Sequence, residues 1–174
     1  TSSVVLLLHG VAALTPQVTS RARLRVAIGD APPQSLTVGL YGSAAPKSVA
    51  LFEGLCAGTV GKGLTYTGSS VSRIERDRLI VGGSLAAGST RSKDTSIDST
   101  GYVRSKMVNR ADEYANDDAN TLSHDRPGLV SMRKGGGAFE FVLTPAANPA
   151  LDATNIVIGE ALGGDDKGGL GLIA

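Results

Sequence analysis

The chain has 174 residues, 41% of them hydrophobic, with Lys+Arg 17 against Asp+Glu 16 and a formal charge of +1. That length and apolar fraction suit one compact domain with a single core, and so even a charge balance argues against a nucleic-acid binder, which carries a marked basic excess. One cysteine and two histidines exclude an intramolecular disulfide framework and the usual four-ligand Cys/His zinc site. Gly 23 with 4% aromatics points to many turns around an aliphatic core, and a mean hydropathy of +0.06 argues against disorder.

Val4 to Leu14 is apolar except for His9 and Gly10. A bilayer takes ~20 apolar residues, so this stretch is too short to cross one and the protein is not expected to be transmembrane. The stretch matches the apolar region of a signal sequence, with Ala12 and Ala13 near its end, although only Thr1 to Ser3 precede it. A buried strand is the other reading. Residues 1–20 are therefore set apart as a targeting remnant or N-terminal extension, and residues 21–174 form the domain.

From Arg21 the pattern is two-periodic. Ala22, Leu24, Val26 and Ile28 alternate with Arg21, Arg23 and Arg25, as in a strand with one wet face. Gly29 to Ser35 is turn-like in composition, and Leu36, Val38 and Leu40 give the apolar face of a second strand. Pro46 to Ala57 predicts a helix. Proline suits its first turn, Val49, Phe52 and Cys56 share a stripe flanked by Leu51 and Leu55, and Gly58 stops it. Cys56 thereby reads as a small core residue and not as a nucleophile.

Ser69 to Glu75 and Arg78 to Gly83 predict two strands joined by a tight turn around Arg76 and Asp77. Ser84 to Arg126 is a long polar run with scattered apolar residues, the kind of loop that is functional or mobile. Strand patterns resume at Gly128 to Met132, Phe139 to Thr144 and Asn155 to Leu162. One helix, six or seven short strands and glycine-rich turns describe a mainly β protein, a barrel or sandwich plugged by a helix. GTVGKG (Gly58 to Gly63) lacks the spacing of a phosphate loop, and there is no GxSxG elbow. His9 lies in the apolar leader and His124 in a polar loop, so neither supports a Ser-His-Asp triad. No metal or other cofactor is expected.

The order of segments resembles the cyclophilin family of peptidyl-prolyl isomerases. GLYGSAAPKSVALFEGLCAG (Gly39 to Gly58) is similar to that family's second strand and first helix, and YTGSSVSRIERDRLIVGGS (Tyr66 to Ser84) to its catalytic hairpin. RPGLVSM (Arg126 to Met132), FEFVLT (Phe139 to Thr144) and LDATNIVIG (Leu151 to Gly159) follow in the family's order. The resemblance implies an eight-stranded antiparallel β-barrel capped by two α-helices, with residues 21–174 as the cyclophilin-like domain and a substrate groove on the barrel's outer face. Family members usually continue into another strand beyond the position of Ala174. That strand is either missing or replaced by Val4–Leu14.

By the same resemblance Arg73 is the catalytic guanidinium, Phe141 floors the proline pocket and Leu151 walls it. Parity allows Arg73 and Val81 to project to one face across a hairpin. The departures from the family are severe. Arg78 stands where an aromatic pocket residue is usual, Leu79 replaces a methionine, and Val81 replaces the glutamine that orients the arginine. Arg133 replaces a small groove alanine and Asn155 the groove histidine. Glu75 shares the parity of Arg73 and could divert it by pairing. These changes imply a protein that binds proline-containing segments with weak or lost isomerase activity. The alternative is an active peptidyl-prolyl cis-trans isomerase working as a general folding catalyst.

SHDRPGLVSM with the shortened GGGAFEFVLT and TNIVIG is similar to a plant and algal group of plastid cyclophilins. That resemblance implies the thylakoid lumen of the chloroplast, and a role in assembling a photosynthetic membrane complex such as a photosystem. The insertion Ser84 to Arg126 is then either a contact surface, through Arg104, Lys106, Arg110, Asp112, Glu113, Asp117 and Asp118, or a solvated loop.

Overall fold

A computed structural model describes residues 16–119 and 122–164. The expectations for Val4–Leu14, and for a closing strand after residue 164, lie outside the described residues. The protein is mainly β. Seven strands form one curled antiparallel sheet, a half-barrel with a helix packed against it. They are β1 (Ser20–Val26), β2 (Gln34–Leu40), β3 (Arg73–Glu75), β4 (Leu79–Gly82), β7 (Leu129–Arg133), β8 (Phe141–Leu143) and β9 (Asn155–Gly164), in the spatial order β1-β2-β9-β7-β8-β4-β3. Within the described residues this sheet has seven strands, and β1 and β3 are its two ends and do not pair with each other. Among the described residues the α-helices are α1 (Pro46–Ala57) and the single turn α2 (Ala87–Thr90).

β1 follows its alternation. Ala22 is buried and Arg21, Arg23 and Arg25 are exposed, while Leu36, Val38 and Leu40 of β2 are all buried. Ile28 falls beyond the strand and is exposed, because the chain has already turned through Gly29. β2 and β9 approach so closely that a Cβ on Gly159 would lie 2.2 Å from the Gly39 carbonyl oxygen. Only glycine allows that contact.

The helix has the bounds predicted for it. Pro46 opens it and Gly58 closes it in the left-handed conformation, its N–H bonded back into the last turn. Its buried face is Ser48, Val49, Leu51, Phe52 and Leu55, with Cys56 half-buried against the core. Burial first, and Glu53 second, push the Cys56 thiol up to about 11, which keeps it protonated and unreactive at neutral pH. No side chain of the adjoining residues caps the N-terminus of α1. Asp117, 69 positions away, does so instead, accepting from Ser48 N at 2.8 Å and Ser48 Oγ at 2.9 Å and placing a carboxylate at the positive end of the helix dipole.

The long polar run is structured. β5 (Arg91–Ile97) and β6 (Val103–Asn109) form a separate two-stranded antiparallel hairpin, followed by a 3₁₀ turn at Arg110–Glu113. Asp98 fixes its tip, accepting from Thr100, Tyr102 N and the Arg104 guanidinium. The Thr100 hydroxyl, then Arg104, hold its carboxyl down at about 2. A polar composition suggested a loop, but seven cross-strand pairs satisfy its backbone as a ribbon.

Candidate active-site face

Residues paired directly across antiparallel strands project to the same side of the sheet. The register aligns Arg73 with Val81, Val81 with Val142 and Val142 with Ser131. These four side chains share one side of the sheet, exposed at Arg73, half-buried at Val81 and Val142 and fully buried at Ser131, and Arg133 and Asn155 form a second paired position two residues along β7. The alternate positions face the core, where Ile80, Leu143 and Val130 are all buried. Val142 and Ser131 were not singled out by the sequence, and the pairing register brings them in.

Arg73 is 64% exposed and its guanidinium donates to Glu75 Oε1. Arg78, in the turn, brings its Nη1 to 2.9 Å from the other carboxylate oxygen of Glu75. The glutamate is thus held between two guanidinium groups. Leu79 is buried directly opposite Glu75. The turn is tight: Arg78 N donates to Glu75 O at 3.0 Å and Asp77 takes a positive φ of 57°, a conformation aspartate tolerates better than most residues.

Phe141 is on the other side. It pairs with Gly82 and Met132, and its ring lies 5.5 Å from that of Phe52 and 5.3 Å from that of Tyr66. The hydroxyl of Tyr66 closes this cluster by donating to Phe139 O at 2.5 Å. The structure therefore does not bring Phe141 to the face that carries Arg73. The reason is visible in the alternation Phe139-Glu140-Phe141-Val142-Leu143: Phe139 and Leu143 are buried, and a period of two puts Phe141 with them and Glu140 with Val142.

Leu151 is half-buried on a 3₁₀ turn spanning Pro149–Ala153. Asn148 fastens that turn to the hairpin by donating to Arg78 O at 3.2 Å. Asn155 donates to Ser131 Oγ at 3.4 Å, so the residue in the groove-histidine position is spent on a neighbouring strand. The Arg133 side chain is exposed with no ion-pair partner among the described residues. Beside the row, an open cleft of about 220 Å³ runs between Gly83–Leu85, Ala111 and Gly137–Glu140.

His124 is not in a solvated loop as its surroundings in the sequence suggested. It is fully buried, with Nδ1 2.6 Å from Asp152 Oδ1 and its backbone N–H on the same oxygen at 2.8 Å. Burial pushes the Asp152 carboxyl up, and hydrogen bonds from Ser123 and then His124 more than offset this, holding it below the usual carboxylate range. Ser123 donates to Asp152 and not to the imidazole, so these three residues do not form a nucleophilic triad. They join the residue 122–124 segment to the Pro149–Ala153 turn. Among the described residues no group of three His, Cys, Asp or Glu could hold a metal ion, and no helix is long and apolar enough to cross a membrane.

The family model for cyclophilin type peptidyl-prolyl cis-trans isomerase/CLD matches residues 23–166. Peptidyl-prolyl cis-trans isomerase 9 of Caenorhabditis briggsae is 29% identical over 153 residues, covering 83% of this chain and 44% of the relative. Peptidyl-prolyl cis-trans isomerase CYP21-1 of Arabidopsis thaliana is 27% identical over 159 residues, covering 87% of this chain and 65% of the relative. This chain therefore spans between two-fifths and two-thirds of the length of those proteins. Among solved structures, a Cryptosporidium parvum cyclophilin type peptidyl-prolyl cis-trans isomerase superposes with a TM-score of 0.54 at 20% identity, covering 80% of this chain and 76% of that one. That likeness shows the fold.

Proposed function

The chain belongs to the cyclophilin-type peptidyl-prolyl cis-trans isomerase family, and from that premise we propose that it binds X-Pro segments on its outer sheet face with weak or lost isomerase activity, as a folding or assembly factor. Rotation about an X-Pro bond meets a barrier of ~18–20 kcal/mol set by amide resonance. Lowering it takes no nucleophile and no metal. It takes an apolar seat for the ring and a donor aimed at the nitrogen of the twisted amide, preorganised so that it acts only there. Arg73 is the donor in this reading, with Leu79, Val81, Val142 and Leu151 as the apolar surroundings and Asn155, Arg78 and Arg133 at the rim.

The observation that carries the proposal is the Arg73–Glu75 ion pair. A guanidinium already bound to a carboxylate must break that bond before it can serve a substrate amide, and Val81, its cross-strand neighbour, has no amide to hold it in place. Loss of an orienting neighbour costs a preorganised site much of its rate. Phe141, half-buried with its ring against Phe52 and Tyr66, contributes less of an aromatic floor in this reading. The alternative, an active isomerase, draws on the exposure of Arg73, since an exposed ion pair contributes little and exchanges readily.

An isomerisation assay on a proline tetrapeptide separates the two. The expected rate lies near the uncatalysed one, and a rate enhancement that Arg73→Ala abolishes would establish the active enzyme instead. The resemblance to plastid cyclophilins adds a setting: the thylakoid lumen, on a photosynthetic membrane complex such as a photosystem. Chloroplast fractionation with cross-linking tests it, and recovery outside the lumen would remove that setting without touching the groove.

A further inference from the structure

The β5–β6 hairpin presents a face that the fold does not use. The register puts Ile97 opposite Val103 and Lys93 opposite Met107, so all four side chains, with Arg91, project to one side. Ile97, Val103 and Met107 are 71%, 65% and 61% exposed. The hairpin's acids are not on this face: Asp94 pairs with Lys106 on the opposite side, and Asp98 is engaged at the tip by Arg104. Neither Arg91 nor Lys93 has an ion-pair partner among the described residues.

The ribbon meets the body at its base, where Ser92 donates to Glu113 and Asn109 donates to Gly137 O. Two of the acids that follow it, Glu113 and Asp117, are already engaged. Glu113 is paired with Lys62 at 2.5 Å and Asp117 caps α1. A lone two-stranded hairpin is marginal in water and gains from a third layer; on this face the Thr95–Ser105 pair lies between Ile97 and Val103 on one side and Met107 on the other, and exposed apolar side chains rimmed by charge mark an interaction site.

We propose that this face docks a second protein, through an apolar surface on that protein flanked by carboxylates. Three apolar side chains with two unpaired cations and no acid call for that complement. A second copy of this chain is disfavoured because its own copy of this face offers no carboxylate to Arg91 and Lys93. A bilayer is disfavoured because the tip, Ser99 to Gly101, is polar, and lipid-binding segments gather clusters of 4–8 cations where this face has two. The inference does not depend on whether the groove turns over proline.

The test is a titration of the isotope-labelled full chain, followed by NMR, with a capped peptide Glu-Ser-Leu-Ser-Leu-Ser-Leu-Ser-Glu. In extended form one of its faces carries leucines flanked by carboxylates. Shifts are expected at Ile97, Val103 and Met107 while Val81 and Val142 stay still, which keeps the outcome separate from that of the groove. The double variant Arg91→Glu with Lys93→Glu should weaken binding about tenfold or more, and Ile97→Ser with Val103→Ser similarly. All four positions are exposed, so the core resonances should hold.

Equal binding of the same peptide with lysines in place of the glutamates would overturn the proposal. So would silence at the hairpin, binding of phosphatidylcholine–phosphatidylglycerol vesicles in place of the peptide, or a dimer in sedimentation that Ile97→Ser with Val103→Ser dissolves.

Discussion

Two hairpins of this protein use the same local pairing and meet opposite fates. β3–β4 is stitched into the main sheet: β4 also pairs with β8, and its Ile80 faces a core that includes Leu143 and Val130. β5–β6 has equally regular register and longer strands, yet its large apolar side chains point to water. Hydrogen bonding within a pair does not decide whether a hairpin belongs to the core. What decides it is whether one face finds a third strand or a helix.

The largest test of that contrast is Phe141→Ala. The ring is half-buried and packed against Phe52 and Tyr66, so the loss should be about 2–3 kcal/mol of stability, below that of a fully buried phenylalanine, read by urea unfolding. Unchanged stability with reduced peptide binding would put the ring in the groove.

Asp117→Ala should cost about 1–2 kcal/mol, because α1 then loses its only side-chain cap among the described residues. A smaller change would mean that water or a neighbour takes over the Ser48 N–H.

Acid should act on the His124–Asp152 joint. The Asp152 carboxyl is held below its ordinary value when folded, so its contribution is present above pH about 4 and is lost as pH falls through the lower folded value. Asp152→Asn should flatten that part of the stability–pH curve, and an identical acid limb in both proteins would refute the linkage.

Glu75→Gln tests the groove reading directly. Freed from its carboxylate, Arg73 should give a several-fold rise in isomerisation rate, well short of a tenfold change (~1.4 kcal/mol), and Arg73→Ala in the same background should erase it. The smallest effect belongs to the free hairpin, where Met107→Ser should alter stability by less than about 0.5 kcal/mol. A larger loss would show that the body depends on this face.

The elements with strong periodic signals were legible in the chain. Pro46 and Gly58 bracketed α1 to the residue, and the alternation from Arg21 to Ile28 located β1 while overrunning its end at Val26, because each signal is written in adjacent residues. The packing of Phe141 against Phe52 and Tyr66 fits the alternation from Phe139 to Leu143, while its role in a pocket rests on the resemblance. The fate of Arg73 was half legible: shared parity allowed the contact with Glu75, and only the turn geometry closes it.

Local residues thus determined the helix, most of the strands and the family to which the chain belongs, since propensity, turn chemistry and side-chain period all act within a few positions. The tertiary structure alone decided that Asp117 caps a helix 69 positions away, that His124 is buried against Asp152 and that the polar insertion stands out as a ribbon. Those outcomes depend on which distant groups the closing sheet brings within a few ångströms, and nothing in a local window encodes that distance.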